Sequence, residues 1–222
     1  MGDRASSFSF SRRTVFGLDI GIRDAVQYID HGSVVYCAGK STVAYDVAGE
    51  TQKFLQISRN VREITAIATH VATCTIALAT LDDDGAQSIA IYDAHSLKRE
   101  KVMTRSDVKP RRVADASPAP DAIGFDGLAF SKDGASLLAY STIEHALVVW
   151  SVRDGTCVEL PRPRQFSSGA DSTTSRDGDA SQSASNAHTQ ITHALFSPHG
   201  DDVVSVVCVG GVFRTYRVNE TT

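Results

Sequence analysis

Residues 33–47 read SVVYCAGKSTVAYDV. Two runs of small, β-branched and aromatic residues, 33–38 and 42–47, flank the turn-forming Gly39-Lys40-Ser41. Short runs of this composition with a glycine break between them form an antiparallel strand pair. The second run closes on Tyr45-Asp46, an aromatic followed by a polar residue. Working outward, 25–29 (AVQYI) lies upstream beyond Gly32, and 51–55 (TQKFL) supplies a weaker fourth strand downstream. The unit is four short strands in series.

The same order recurs along the chain. Residues 64–68 (ITAIA), 74–79 (CTIALA), 88–93 (SIAIYD) and 98–102 (KREKV) form a second unit. Residues 126–130 (DGLAF), 136–141 (SLLAYS), 146–152 (ALVVWSV) and 156–160 (TCVEL) form a third. Residues 191–196 (ITHALF), 203–209 (VVSVVCV) and 212–218 (VFRTYRV) form a fourth that lacks its outer strand. The third strand always ends on an aromatic and a polar residue: Tyr45-Asp46, Tyr92-Asp93, Trp150-Ser151 and Tyr216-Arg217. No long segment shows the 3.6-residue period of a helix.

The first interval between these marks is close to the ~40–45-residue period of repeats built from four strands. The later two are lengthened by 103–122, with Pro110, Pro118 and Pro120, and by the Ser/Asp/Gly-rich 161–190. Neither segment can bury enough apolar surface to order itself, so both are expected to be exposed loops. The Ser/Arg-rich 1–13 is expected to be disordered. Phe130-Ser131-Lys132-Asp133-Gly134 and Phe196-Ser197-Pro198-His199-Gly200 are two copies of one turn, in which the glycine is expected to supply a positive φ. Cys37, Cys74 and Cys208 read as second-strand core fillers, since a free thiol behaves as a small hydrophobe.

These features specify an all-β chain: a β-propeller over 14–222 with about four degenerate blades at 25–55, 64–102, 126–160 and 191–218. A propeller of ~4–8 blades closes only when each blade has two neighbours. The 222 residues are therefore expected to be part of a larger ring, with 14–18 a strand that helps to close it.

Composition excludes several classes. The hydrophobic share is 42%, the charged share 22% and the net charge −4, with a pI near 5.9. A broad nucleic-acid surface would need a basic stripe. No run approaches the ~18 apolar residues of a membrane helix, and no signal-peptide pattern opens the chain. Four cysteines without close pairing make no disulfide framework, which fits a reducing cytoplasmic setting. Met1-Gly2 with Ser6 matches an acylation pattern, against which Asp3 stands.

Local motifs reduce to turns. Gly39-Lys40-Ser41 lacks the preceding glycine and following helix of a phosphate loop. Asp82-Asp83-Asp84-Gly85 joins two strands and has no closing Glu for a calcium loop. His31, His70, His95, His145, His188, His193 and His199 show no zinc spacing. Lys98, Arg99 and Lys101, with Lys109, Arg111 and Arg112, straddle one loop and read as a solvated surface; an acidic partner is the other reading. The entrances of the first strands carry Asp24, Glu63, Asp126 and Thr192, a mixed set for catalysis. No catalytic, cofactor-binding or metal-binding residue is assigned, and no small-molecule substrate is expected.

The four units resemble WD repeats, with Tyr45-Asp46 and Tyr92-Asp93 where Trp-Asp usually stands. The polar His and Asp that usually tie the turns together are mostly missing. Val15-Phe16-Gly17-Leu18, Ile29-Asp30, Val34 to Gly39 and Val43-Ala44-Tyr45 resemble the amino end of the cilia- and flagella-associated protein fifty-seven family. The likeness continues through Ile89 to Asp93, Ser96, Lys98 to Val102, Leu128 to Ser131, Leu137 to Ala139, Trp150 and Val206 to Cys208. It implies a noncatalytic axonemal scaffold that helps to place inner dynein arms and regulatory complexes on doublet microtubules of cilia or flagella. The alternative is a WD-repeat adaptor in another assembly, in trafficking or RNA processing.

Overall fold

The computed structural model describes residues 13–104, 124–163, 190–200 and 202–218. They form fifteen strands in four antiparallel sheets, with no α-helix among the described residues. Sheet 1 holds β1 (Val26–Tyr28), β2 (Ser33–Ala38), β3 (Ser41–Asp46) and β4 (Thr51–Phe54). Sheet 2 holds β5 (Val61–His70), β6 (Thr75–Asp82), β7 (Gln87–Asp93) and β8 (Arg99–Thr104). Sheet 3 holds β9 (Gly127–Phe130), β10 (Ser136–Ser141), β11 (Ala146–Ser151) and β12 (Cys157–Glu159). Sheet 4 holds β13 (Ile191–Phe196), β14 (Val203–Cys208) and β15 (Phe213–Arg217). Within each sheet, strands pair in chain order. The arrangement fits a β-propeller-like fold.

Alternate residues of a strand face opposite sides of its sheet, and here both sides of the middle sheets are apolar. Val35, Cys37 and Ala44 of sheet 1 pack against Ile76, Leu78, Ala90 and Tyr92 of sheet 2. Ala77, Ala79, Ile89 and Ile91, on the other side of sheet 2, pack against Leu137, Ala139, Val148 and Trp150 of sheet 3. Leu138, Tyr140, Leu147 and Val149, on the far side of sheet 3, meet Val204, Val206 and Cys208 of sheet 4. We call the side toward the preceding sheet the leading face and the other the trailing face.

The aromatic that ends each third strand belongs to the leading face. Tyr92 and Trp150 are each 1% exposed, and Tyr216 packs against the third apolar layer. The polar residue after it closes the next turn. Asp46 Oδ1 accepts the amides of Ala48 and Gly49 at 3.1 Å each. Asp93 Oδ1 accepts Ser96 N at 2.6 Å, and Ser151 Oγ accepts Asp154 N at 3.3 Å. The aromatic–polar pair thus couples inter-sheet packing to a local turn.

Several expectations are corrected. No strand forms over 14–18: Gly17 has φ 115, and Val15 bonds to a side chain rather than a strand ladder, its N donating to Gln52 Oε1 at 2.8 Å. Cys74 precedes β6 with φ 51 instead of lying in it. β8 continues to Thr104, so the insertion expected at 103 begins later, and Met103 is buried against sheet 3. Gly134 has the positive φ expected of its turn, whereas Gly200 has none. The expectations for 1–12, for most of 103–122 and for 164–189 fall outside the described residues.

Candidate functional site

Residues at the entrances of the first strands converge in part. Arg23, just before β1, donates from Nη1 to the carbonyl of Thr192 in β13. This bond ties sheet 1 to sheet 4. Asp126, just before β9, accepts Thr142 N at 2.9 and 3.0 Å and also the Thr142 hydroxyl, which fixes the β10–β11 turn. Tyr140 of β10 and His193 of β13 meet edge to face, centroids 5.9 Å apart, with Tyr140 Oη 3.0 Å from His193 Nδ1. Burial pushes the Tyr140 phenol upward; Arg23 opposes this, and Asp126 and Asp24 add to it. Glu63 takes no part in these contacts. The cluster is a set of ties among sheets 1, 3 and 4.

A second tie joins sheets 2 and 3. His70, which ends β5, places Nε2 2.9 Å from Lys132 O and Nδ1 2.7 Å from Thr73 Oγ1. Its ring stacks obliquely on Phe130 at 5.8 Å. Lys132 stands in the Phe130–Gly134 turn, where Asp133 Oδ1 accepts Ser131 Oγ at 2.6 Å and Ala135 N at 2.9 Å. A Cβ on Gly134 would lie 2.6 Å from His70 Nδ1. His70 and Asp126 are therefore polar ties of the kind that the sequence shows few of.

The remaining candidates are structural. Gly39-Lys40 is a two-residue hairpin turn, since Ala38 pairs with Ser41 and Gly39 has φ 59. Asp82-Asp83-Asp84-Gly85 is also a turn: Asp82 Oδ2 accepts Asn60 Nδ2 at 2.9 Å and Asp84 Oδ1 accepts Ala86 N at 3.1 Å. Burial, with Asp84 and Asp83 beside it, raises the Asp82 carboxyl. No cluster of three or more His, Cys, Asp or Glu suited to a metal occurs among the described residues. Burial pushes the Cys37 thiol up to about 11, so it stays protonated and poorly nucleophilic.

Of the basic cluster, Lys98 and Arg99 are exposed and Lys101 is partly buried. Arg99 and Lys101 lie in β8; Arg99 Nη1 donates to Ser58 Oγ at 2.6 Å, and Lys101 Nζ donates to Val152 O at 2.8 Å and to Arg153 O. Lys109, Arg111, Arg112 and His188 lie outside the described residues. No protein-family model and no curated protein matches this chain. Among the described residues no helix is long and apolar enough to cross a membrane.

What distinguishes the surface is the pair of terminal faces. By alternation the leading face of sheet 1 carries Val34, Tyr36, Val43 and Tyr45, with Val26 and Tyr28 in register beside them. Val26 and Tyr28 are 49% and 69% exposed. The trailing face of sheet 4 carries Leu195, Val207 and Phe213, at 43%, 41% and 63%. In sheet 3 the positions matching Val26, Tyr28 and Leu195 are Leu128, Phe130 and Ala129, which are partly buried against the neighbouring sheets.

Proposed function

We propose that this chain is a noncatalytic protein-interaction module whose working surfaces are the outer faces of its first and last sheets. One observation supports this reading: Val26 and Tyr28 on the first sheet, and Leu195, Val207 and Phe213 on the last, are apolar and exposed on the two outer faces. Scattered single hydrophobes need no explanation, but grouped ones on one face mark interaction surfaces. The family resemblance extends the proposal to an axonemal scaffold, with dynein regulatory or doublet-microtubule proteins as partners and the cilium or flagellum as its location. Affinity purification of the tagged protein from motile cells, with localisation after detergent extraction, tests both levels. Recovery of doublet and dynein subunits from retained axonemes supports the axonemal reading. Recovery of coat or ribonucleoprotein subunits instead replaces it with the adaptor reading. A chain that returns no stoichiometric partner overturns the interaction role.

A further inference from the structure

The outer strands of sheets 1 and 2 carry a lysine at the same register. Ile91, one residue before Tyr92, pairs with Lys101 of β8, and Ala44, one before Tyr45, pairs with Lys53 of β4. Lys101 crosses to the next sheet, where its Nζ donates to the carbonyls of Val152 and Arg153 in the turn after Ser151. These bonds close the outer seam of the joint between sheets 2 and 3. The matching carbonyls for Lys53 are those of Ala94 and His95, in the turn after Asp93. Lys53 is exposed and makes no such bond among the described residues. The outer seam between sheets 1 and 2 therefore stays open.

A groove follows this open seam. Phe54, Ile57 and Leu97 line it and are partly buried, and Ile57 and Leu97 also pack on the first apolar layer. Lys53, Lys98 and Arg99 line it and are exposed. Among the described residues no Asp or Glu lines it. Asp30 and Asp46, in the adjoining hollow, are committed to their own turns, where they accept Gly32 N and the amides of Ala48 and Gly49. The chain has 26 acidic against 22 basic residues, so three cations together reverse its prevailing sign, and a cleft of one sign concentrates the opposite charge. Ser58 Oγ, 2.6 Å from Arg99 Nη1, fixes one of the three. The turn that supplies Lys98 is strained: Leu97 has φ 55 where the matching turn of sheet 3 has Gly155, φ 73. Leucine is disfavoured in this left-handed conformation, and strain of this kind recurs at ligand clamps. Here it sets an apolar side chain on the groove where glycine would leave none.

We propose that this groove binds an extended acidic peptide segment of a partner protein, with carboxylates meeting Lys53, Lys98 and Arg99 and an apolar side chain covering Phe54, Ile57 and Leu97. Clusters of cations are a recurrent means of holding acidic motifs, and the partly buried floor adds a demand for an apolar neighbour. A single-stranded nucleic acid would need exposed aromatic faces on which its bases stack, and the one aromatic lining this groove, Phe54, is partly buried. The groove is built wholly by two consecutive sheets, so the proposal goes beyond the reading of the outer faces and does not rest on it.

The test pans a random dodecapeptide phage library on the whole chain. Enriched peptides should combine several Asp or Glu with a neighbouring Leu, Ile or Phe. The best of them, made as a fluorescent synthetic peptide, should bind in anisotropy titrations. Its affinity should fall at least about tenfold when Lys53→Glu and Lys98→Glu are combined, and should fall also in ~1 M salt, where the screening length is about 3 Å. Lys40→Glu, at an exposed hairpin turn of sheet 1, should leave the affinity unaltered and controls for net charge. All three lysines are exposed, and unchanged Trp150 emission shows that each variant keeps its fold. Failure to enrich any peptide, enrichment without an acidic bias, or equal affinity for the combined variant overturns the proposal. Tighter binding of labelled dodecathymidylate than of the peptide also overturns it, because the groove is then a nucleic-acid surface.

Discussion

Replacing Gly127 by Ala should dismantle the joint between sheets 3 and 4. A Cβ at that position would lie 2.0 Å from Tyr140 Cζ, 2.3 Å from Cε1 and 2.4 Å from Oη. Ordinary carbon–carbon contact needs ~3.5–4.0 Å, so the ring must retreat by about 1.5 Å or more. Tyr140 is buried between two sheets and bonded to His193, so there is no free direction of retreat. Overpacking costs about 1–3 kcal/mol, and loss of the hydrogen bond adds about 1 kcal/mol. The expected destabilisation is therefore ~2–4 kcal/mol. Gly127 has no positive φ, so steric overlap alone is tested. Urea unfolding followed by emission of the single tryptophan, Trp150 in the same sheet, gives the measurement. On a Tyr140→Ala background the same change should cost under about 0.5 kcal/mol, because neighbours couple and the obstacle is gone. An unaltered midpoint in the single variant, or an equal cost on both backgrounds, refutes the packing described here.

Trp150→Ala should cost ~3–5 kcal/mol, as expected for a large buried aromatic, whereas Tyr45→Ala should cost under half of that, since Tyr45 faces no neighbouring sheet; chemical denaturation of the pair checks the ordering. Cys37 and Cys208, both buried, should be alkylated more slowly at pH 8 than the part-exposed Cys74 and Cys157, as read by mass spectrometry of the native protein. The Cys37 thiol rises from 9.0 to about 11 on folding, so its contribution to stability is full below pH 9 and is lost as the pH rises toward 11; alkaline denaturation midpoints of Cys37→Ala and parent should converge over that window. Hydrogen bonds from Ser131 and Ala135 hold the Asp133 carboxyl below its usual value. Its contribution is present above about pH 4 and fades as acid titrates the folded group, so Asp133→Asn should flatten the acid limb of the stability curve, and an unaltered limb would contradict this assignment.

The strands were legible because each is short, β-rich and bounded by turn residues. All fifteen fall where the pattern of runs puts them, with ends displaced by a few residues. The aromatic–polar mark was legible for the same local reason. The ties were not. Arg23 with Thr192, Tyr140 with His193 and His70 with Lys132 join residues 169, 53 and 62 positions apart, and no local spacing encodes such pairs. One signal was available: Gly127 inside the run DGLAF, where a strand glycine marks close approach of another group. Cys74 was misplaced because TCT looks like strand, yet the residue before β6 must turn with φ 51. The segment 14–18 misled in a similar way. Its composition suits a strand, but its backbone bonds to Gln52 and Tyr36 side chains on a face already complete in its own ladder.

The order of strands within each sheet also governs how the chain acquires its structure. Every sheet is a meander of consecutive strands, and every apolar layer joins sheets that follow one another in the chain. Folding can therefore spread from one sheet to the next as in a linear array. Sheets 2 and 3, each held on two sides, should form the slowest-exchanging unit of amide protection, with sheet 4 opening first. The same locality limits damage. A lesion at one joint should loosen the sheets beyond it while the remaining layers keep their protection, so that unfolding proceeds inward from the two ends.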